Sequence, residues 1–293
     1  MSKFLEEAAQ YSKECGLNIF RIAEVKDNGP AEDITIVDCP ACHDCYSVAK
    51  AFVVAGIGML VDRGIMKTSD TVAEIFPDEV SAVEDIEIQK HWKNTTVHHV
   101  LKHQAGFPGG HLDIDAQDMY TYGDRDFLRY CLNTKPAYVS GEDRRYSDAA
   151  YYLLSRIFSK VSGELLDDFL WRELFYDLGF REMAWSKCPH GYPMGATGLY
   201  VRAIDVAKFG AIFLNNGVYN GKRYLSEEWV KTTIDDPGYE LTRNDDGSSF
   251  SKGGMFGQNL LVLPHQNRVV AWHGFSRGGD GGAFHRWVVE YKD

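Results

Sequence analysis

Ser47-Val48-Ala49-Lys50 sets a hydroxyl and an amine three residues apart, at the head of an apolar run from Ala49 to Val61. On a helix the two side chains share one face, one turn apart, so the amine can reach the hydroxyl. Apolar neighbours strip water from the amine. That disfavours the ammonium and leaves a base able to take the serine proton. The start of the helix also presents backbone N–H groups to an oxyanion. The chemistry implied is attack of a serine on an ester or amide carbonyl.

A Ser-x-x-Lys tetrapeptide is a loose signal by itself. A second one, Ser249-Phe250-Ser251-Lys252, lies in a stretch of Gly, Ser, Asp and Asn with no apolar helix behind it. Lys252 there is expected to stay hydrated. Taken alone, Ser47 also fits the plain role of a helix N-cap.

The elements around the tetrapeptide can be read from periodicity and breakers. Residues 3–15 pattern as a helix closed near Gly16. Ile19 to Val25 and Asp33 to Val37 read as strands, separated by the turn residues Asp27-Asn28-Gly29-Pro30. Residues 47–63 form a buried helix stopped at Gly64. The middle of the chain is helical, over 95–103, 125–132, 148–161 and 164–177, with a Gly- and Pro-containing loop over 104–124. A further helix covers 203–216, and a polar loop covers 236–254. Phe256 to Leu263 and Arg268 to Trp272 then read as a hairpin around Pro264-His265-Gln266-Asn267. Strands at both ends and helices between them predict an α+β fold. One antiparallel sheet, flanked by helices, takes residues 1–75 and 195–293, and an inserted helical subdomain takes 76–194. A catalytic cleft is expected between the two.

Several segments, in order, resemble the serine β-lactamase-related, penicillin-recognising hydrolases. Thr96 to Phe107 is similar to that family's "TVRDLLTHTSGL", Tyr146 to Leu154 to its "YSNAGYxLL", and Leu174 to Phe180 to its "LFxPLGM". Ala196 to Gly210 resembles "GGLxxTAxDLARFG", and Gly253 to Gln258 resembles the "GxYGQ" strand of the branch with the 6-aminohexanoate-dimer hydrolases. The likeness spans roughly residues 19–275. It implies three catalytic elements. The first is Ser47 with Lys50. The second is Tyr146, whose phenolate would relay the serine proton to the leaving group. The third is Lys252-Gly253-Gly254, a substrate-binding strand on which glycines allow close approach. By the same match, the amides of Ser47 and Met255 would form the oxyanion hole. No metal or organic cofactor is required.

Two positions depart from the family pattern. Asp148 stands where asparagine is usual. A carboxylate near Lys50 would favour the ammonium, shift the base role toward Tyr146 and disfavour anionic substrates. Gly253 stands where a Thr or Ser hydroxyl usually helps hold the β-lactam carboxylate. Poor β-lactamase activity is the expected result, with esters or small amides as better substrates.

Two rival readings follow from the sequence. Cys39, Cys42, His43 and Cys45 bunch before Ser47 and could ligate zinc or an iron–sulfur cluster. Alternatively, the scaffold could be a catalytically silent binding protein. His98, His99, His103 and His273 are expected to be structural. Aromatic residues Tyr120, Tyr122, Trp185, Tyr192 and Tyr239 are candidates for a pocket lining.

Bulk properties narrow the classes. The chain of 293 residues carries a net charge of −11 and no basic cluster, which argues against a nucleic-acid partner. No apolar run reaches membrane-spanning length, so no membrane partner is expected. The charged N-terminus reads as a helix and not as a secretory signal. Six cysteines in such a chain read as thiols in a reducing compartment, hence a cytoplasmic location. The expected partner is a small-molecule ester or amide. Oligomeric state has no signature in the sequence.

Overall fold

The computed structural model describes residues 1–123, 125–235, 239–277 and 280–292. In chain order the elements begin with α1 (Lys3–Glu14), β1 (Ile19–Lys26), β2 (Glu32–Thr35) and β3 (Cys42–Asp44). A 3-10 turn over Tyr46–Val48 leads into α2 (Ala49–Asp62). Then follow α3 (Val72–Ile75), α4 (Pro77–Ser81), α5 (Ile86–Asn94), α6 (Val97–Leu101), α7 (Phe127–Leu132), α8 (Asp148–Ser162) and α9 (Leu166–Leu170). The last third holds β4 (Ala184–Trp185), β5 (Leu199–Arg202), α10 (Ala203–Leu214), β6 (Val218–Tyr219), β7 (Lys222–Arg223) and α11 (Glu227–Asp235). It closes with β8 (Thr242–Arg243), β9 (Phe250–Gly253), β10 (Asn259–Leu263), β11 (Arg268–Gly274) and α12 (Asp280–Glu290).

Contacts divide the chain into two compact units. One is Met1–Ala51 with Glu173–Ala184 and Leu199–Asp293; the other is Phe52–Arg172 with Trp185–Gly198. The first border falls inside α2, where the sequence reading sets it between 75 and 76.

The first unit is built on a six-stranded sheet in the order β2-β1-β11-β10-β9-β8. Its described pairings are antiparallel, and β1 lies against β11 with Ala23 opposite Ala271. Both faces are covered, so the central strands are continuously apolar rather than alternating. On one face Leu261, Leu263, Val270 and Trp272 pack against Phe4, Leu5 and Ala8 of α1 and Phe284 and Val288 of α12. On the other face lies α10. A Cβ at Gly210 of α10 would stand 2.5 Å from a Leu260 methyl and 2.6 Å from a Val269 methyl, so the helix sits as close as a glycine permits. This is the antiparallel α+β layering expected from the sequence.

The second unit is mainly helical and centres on α8, whose residues Ala149 to Leu154 are all fully buried. Asp126 caps α7, Thr96 caps α6, and Gly163 at φ 76° closes α8.

Two expectations need correcting. The stretch 236–254 is not a loop throughout, because 242–243 and 250–253 form strands β8 and β9; residues 236–238 lie outside the described residues. The helix expected over 164–177 is α9 followed by a π-helical turn, Trp171–Phe175. Among the described residues no helix is long and apolar enough to cross a membrane.

Gly210→Ala should lower stability by about 1–3 kcal/mol, because a methyl must displace two packed core side chains. A fall of several degrees in the thermal midpoint checks it. An unchanged midpoint would show that α10 can retreat from the sheet at no cost.

Candidate active site

The backbone before Ser47 is tightly constrained. β3 pairs with β5, Cys42 opposite Arg202 and Asp44 opposite Tyr200. The Cys45 amide then donates to the Leu199 carbonyl at 2.9 Å. Tyr46 takes φ 48°, an uncommon value for a tyrosine, and its amide donates to Asp44 Oδ1 at 2.7 Å. This kink ends the extended segment and starts the 3-10 turn that carries Ser47. Ser47 is therefore part of the turn that enters α2, and the residue is half-buried.

Lys50 has no exposed surface, yet its Nζ donates to Ser47 Oγ at 3.1 Å. The helical spacing read from the sequence thus becomes an actual amine–hydroxyl contact. An amine so fully buried persists only if its hydrogen-bonding capacity is met.

The Gly253–Gln258 segment belongs to the same unit and abuts this turn. A Cβ at Gly254 would lie 2.8 Å from the Cys45 carbonyl oxygen and 2.6 Å from Gln258 Oε1. Only glycine allows that approach. The Gly254 amide donates to the Gln258 carbonyl at 2.8 Å, and Gln258 Nε2 donates to the Gly274 carbonyl at 2.6 Å. Phe256 meets Tyr46 edge-on at 5.0 Å and stacks on Phe275 at 4.4 Å. The Met255 amide, in the turn so fixed, has no acceptor among the described residues. A cavity of about 490 Å³ opens along Gly253 to Asn259, Ser276 and Arg277.

Lys252 lies on β9. It is not the hydrated surface lysine its sequence context suggests: its side chain is 12% exposed and forms an ion pair with the buried carboxylate of Glu240. Sequence reasoning missed Glu240, since nothing local links it to Lys252.

In the second unit, Tyr146 is 38% exposed, and its ring packs on His103 at 4.5 Å. His103 is buried with φ 56°. Its Nδ1 accepts the Ser147 amide at 3.3 Å, and its carbonyl accepts the Arg145 amide at 3.1 Å and the Tyr138 hydroxyl at 2.9 Å. His103 thereby fixes the backbone on both sides of Tyr146, the structural role expected of it. Asp148 is the first residue of α8 and is 6% exposed. Carboxylate oxygens of Asp113, Asp115 and Asp148 lie within 4.8 Å of one another, and Thr197 Oγ1 donates to Asp115 at 2.5 Å. The negative charge near α8 is thus larger than Asp148 alone suggests.

The cysteine segment does not gather into a ligand set. Cys42 Sγ points to Glu182 Oε1 at 3.5 Å, Cys39 Sγ lies 3.3 Å from His43 Nε2, and Cys45 is fully buried. Burial and then the Glu182 contact push the Cys42 thiol up to about 11, and burial drives Cys45 well above its ordinary value. Among the described residues, the metal-compatible grouping is the aspartate trio and not this segment. His273 is buried in β11, and burial lowers its imidazole to about 3, which leaves it neutral and unsuited to act as a base near neutral pH. Tyr239 and Trp185 are 1% and 6% exposed and serve as packing residues rather than pocket lining.

This α+β fold, with a serine–lysine pair opening a buried helix and a glycine strand beside it, defines the class of β-lactamase-related proteins. The beta-lactamase family model matches residues 41–287, and the chain belongs to that family. A 6-aminohexanoate-dimer hydrolase of Paenarthrobacter ureafaciens is 24% identical over 285 residues, covering 80% of this chain and 70% of that protein. The same fold occurs in a penicillin-binding protein homologue from Caulobacter crescentus, with TM-score 0.74 and 16% identity over 98% of this chain and 95% of that one. It also occurs in a family VIII carboxylesterase, with TM-score 0.74 and 14% identity over 98% and 95%.

His103→Ala should cost about 1–3 kcal/mol, because the buried Ser147 amide loses its acceptor. His103→Asn, which supplies an acceptor and tolerates positive φ, should recover part of the loss. Denaturant unfolding of both variants checks this; equal losses would refute the acceptor role.

Proposed function

We propose that the chain is a serine hydrolase that transfers an acyl group from an ester or amide to Ser47 and then to water. The observation that carries this reading is the contact of the fully buried Lys50 amine with Ser47 Oγ at 3.1 Å. In the neutral-amine form the same contact reverses, and Lys50 accepts the hydroxyl proton as Ser47 attacks the carbonyl carbon. A new C–O bond forms, and the carbonyl oxygen becomes an oxyanion. The amides of Ser47 and Met255 would stabilise it. Collapse breaks the bond to the leaving group, which departs with a proton delivered through Tyr146. Water repeats the sequence in reverse and frees the acid. The reaction needs no metal or cofactor.

Support for the two positions beyond Ser47 and Lys50 is of different kinds. For Met255 it is an amide without an acceptor among the described residues, in a turn that abuts the Ser47 turn. For Tyr146 it is the family match, together with a part-exposed phenol anchored on His103. Lys252, Gly253, Gly254 and Asp148 are proposed to contact substrate. Gly253 offers no hydroxyl for a substrate carboxylate, and the aspartates around Asp148 oppose anions. Both features support uncharged or cationic esters and amides as substrates, with β-lactams turned over poorly. Six cysteines without a disulfide fit a reducing, cytoplasmic setting.

A fluorophosphonate should label wild-type protein at Ser47, and Ser47→Ala should abolish both labelling and hydrolysis of p-nitrophenyl butyrate. Tyr146→Phe should lower kcat by about 10²–10⁴-fold while the fold is retained. Labelling that persists in Ser47→Ala would overturn the assignment. Absence of both labelling and turnover in the wild type would favour the binding protein. Efficient nitrocefin hydrolysis would overturn the exclusion of β-lactams.

A further inference from the structure

β9 carries Lys252 and Gly253, and Gly254 follows with its backbone against the Cys45 carbonyl beside the Ser47 turn. An acyl group whose carbonyl oxygen sits at the Met255 amide must run past this strand. The cation on the strand is Lys252, and its charge is already matched. The Lys252 ammonium and the Glu240 carboxylate form an ion pair whose side chains are only 12% and 2% exposed. Solvent screens such a pair weakly, so each charge largely cancels the other in the field felt nearby.

The backbone holds Glu240 to this task. Its φ of 75° lies in the left-handed region, which a glutamate adopts at a cost. Flanking contacts impose it: the Leu241 amide donates to the Tyr239 carbonyl at 3.0 Å, and Tyr239 packs on Trp229 of α11 at 5.9 Å. The carboxylate is therefore delivered beneath β9 by a fixed turn and not by a mobile surface side chain.

We propose that Glu240 determines charge specificity: by pairing with Lys252 it cancels the positive charge that this residue would otherwise present to substrate and makes the strand select acyl groups without a carboxylate. The inference rests on the acyl-transfer reading of Ser47 and adds a residue that acts through Lys252. Removal of the carboxylate while its shape is kept would leave an ammonium that a substrate carboxylate can engage. Removal of the ammonium instead would leave a buried carboxylate that repels one.

The test compares kcat/KM for p-nitrophenyl butyrate with that for the mono-p-nitrophenyl ester of glutaric acid, in wild type, Glu240→Gln and Lys252→Gln. The wild type should prefer the neutral ester. Glu240→Gln should raise the anionic-to-neutral ratio by about tenfold or more, mainly through KM, with the gain shrinking as salt rises. Lys252→Gln should move the ratio the opposite way. If the ratio stays constant in both variants, or both esters lose rate in parallel with a lowered thermal midpoint, the pair is a structural brace and the proposal fails. Neutral-ester turnover that survives Ser47→Ala instead sinks the acyl-transfer reading, and the inference falls with it.

Discussion

An amine sealed from water beside a serine hydroxyl is the constraint around which the first unit is arranged. Lys50 is fully buried at the head of α2, and burying an ammonium without partners costs several kcal/mol. The contact with Ser47 Oγ meets part of that demand and brings an amine to a hydroxyl in the same step. Both properties come from one local fact: a helix that starts at Ala49 and is apolar on every side. A surface helix with the same Ser-x-x-Lys would let the lysine swing into solvent. The second tetrapeptide, ending at Lys252, differs in another way: Phe250 to Lys252 lie on β9, where successive side chains alternate between the faces of the sheet, and Lys252 pairs with Glu240.

Precision at Ser47 comes from backbone, not from side-chain packing alone. The β3–β5 pairing, the left-handed Tyr46 and the hydrogen bond from its amide to Asp44 bring the chain into the turn at one angle. Gly254 then lets the neighbouring segment close to van der Waals distance of Cys45. Phe256 bridges the two by touching Tyr46 on one side and Phe275 on the other. The Met255 amide is oriented by hydrogen bonds that its neighbours make, which leaves its own donor for another acceptor.

Much of this architecture is legible in the sequence where hydrophobic periodicity dominates. α2, β1, α10 and the β10–β11 hairpin all carry strong apolar runs bounded by glycine or turn residues, and their limits fall within a few residues of expectation. β8 and β9 are obscured by the Gly, Ser and Asp content around them; their pairing with β10 supplies order that local composition does not. α3 and α4 are too short for a helical period to emerge. At the site, Ser47 and Lys50 are legible because three residues separate them. Glu240 is not, and neither are the contacts of His103, because one reaches its partner across a turn and the other acts on backbone amides more than forty positions away. Asp113 and Asp115 escape for the same reason, since acidic loop residues ordinarily signify nothing beyond solvation.

The pairing of β1 with β11 has a consequence for biogenesis. Ile19 finds its strand partner at Gly274, so the sheet cannot close until residues more than 250 positions later in the sequence have been made. Contacts of such long sequence separation form late, because the intervening segment must first be confined. The Gly253–Gln258 segment that braces the Ser47 turn belongs to the same late-arriving portion. A nascent chain therefore contains Ser47 long before it contains the segment against which its turn is packed.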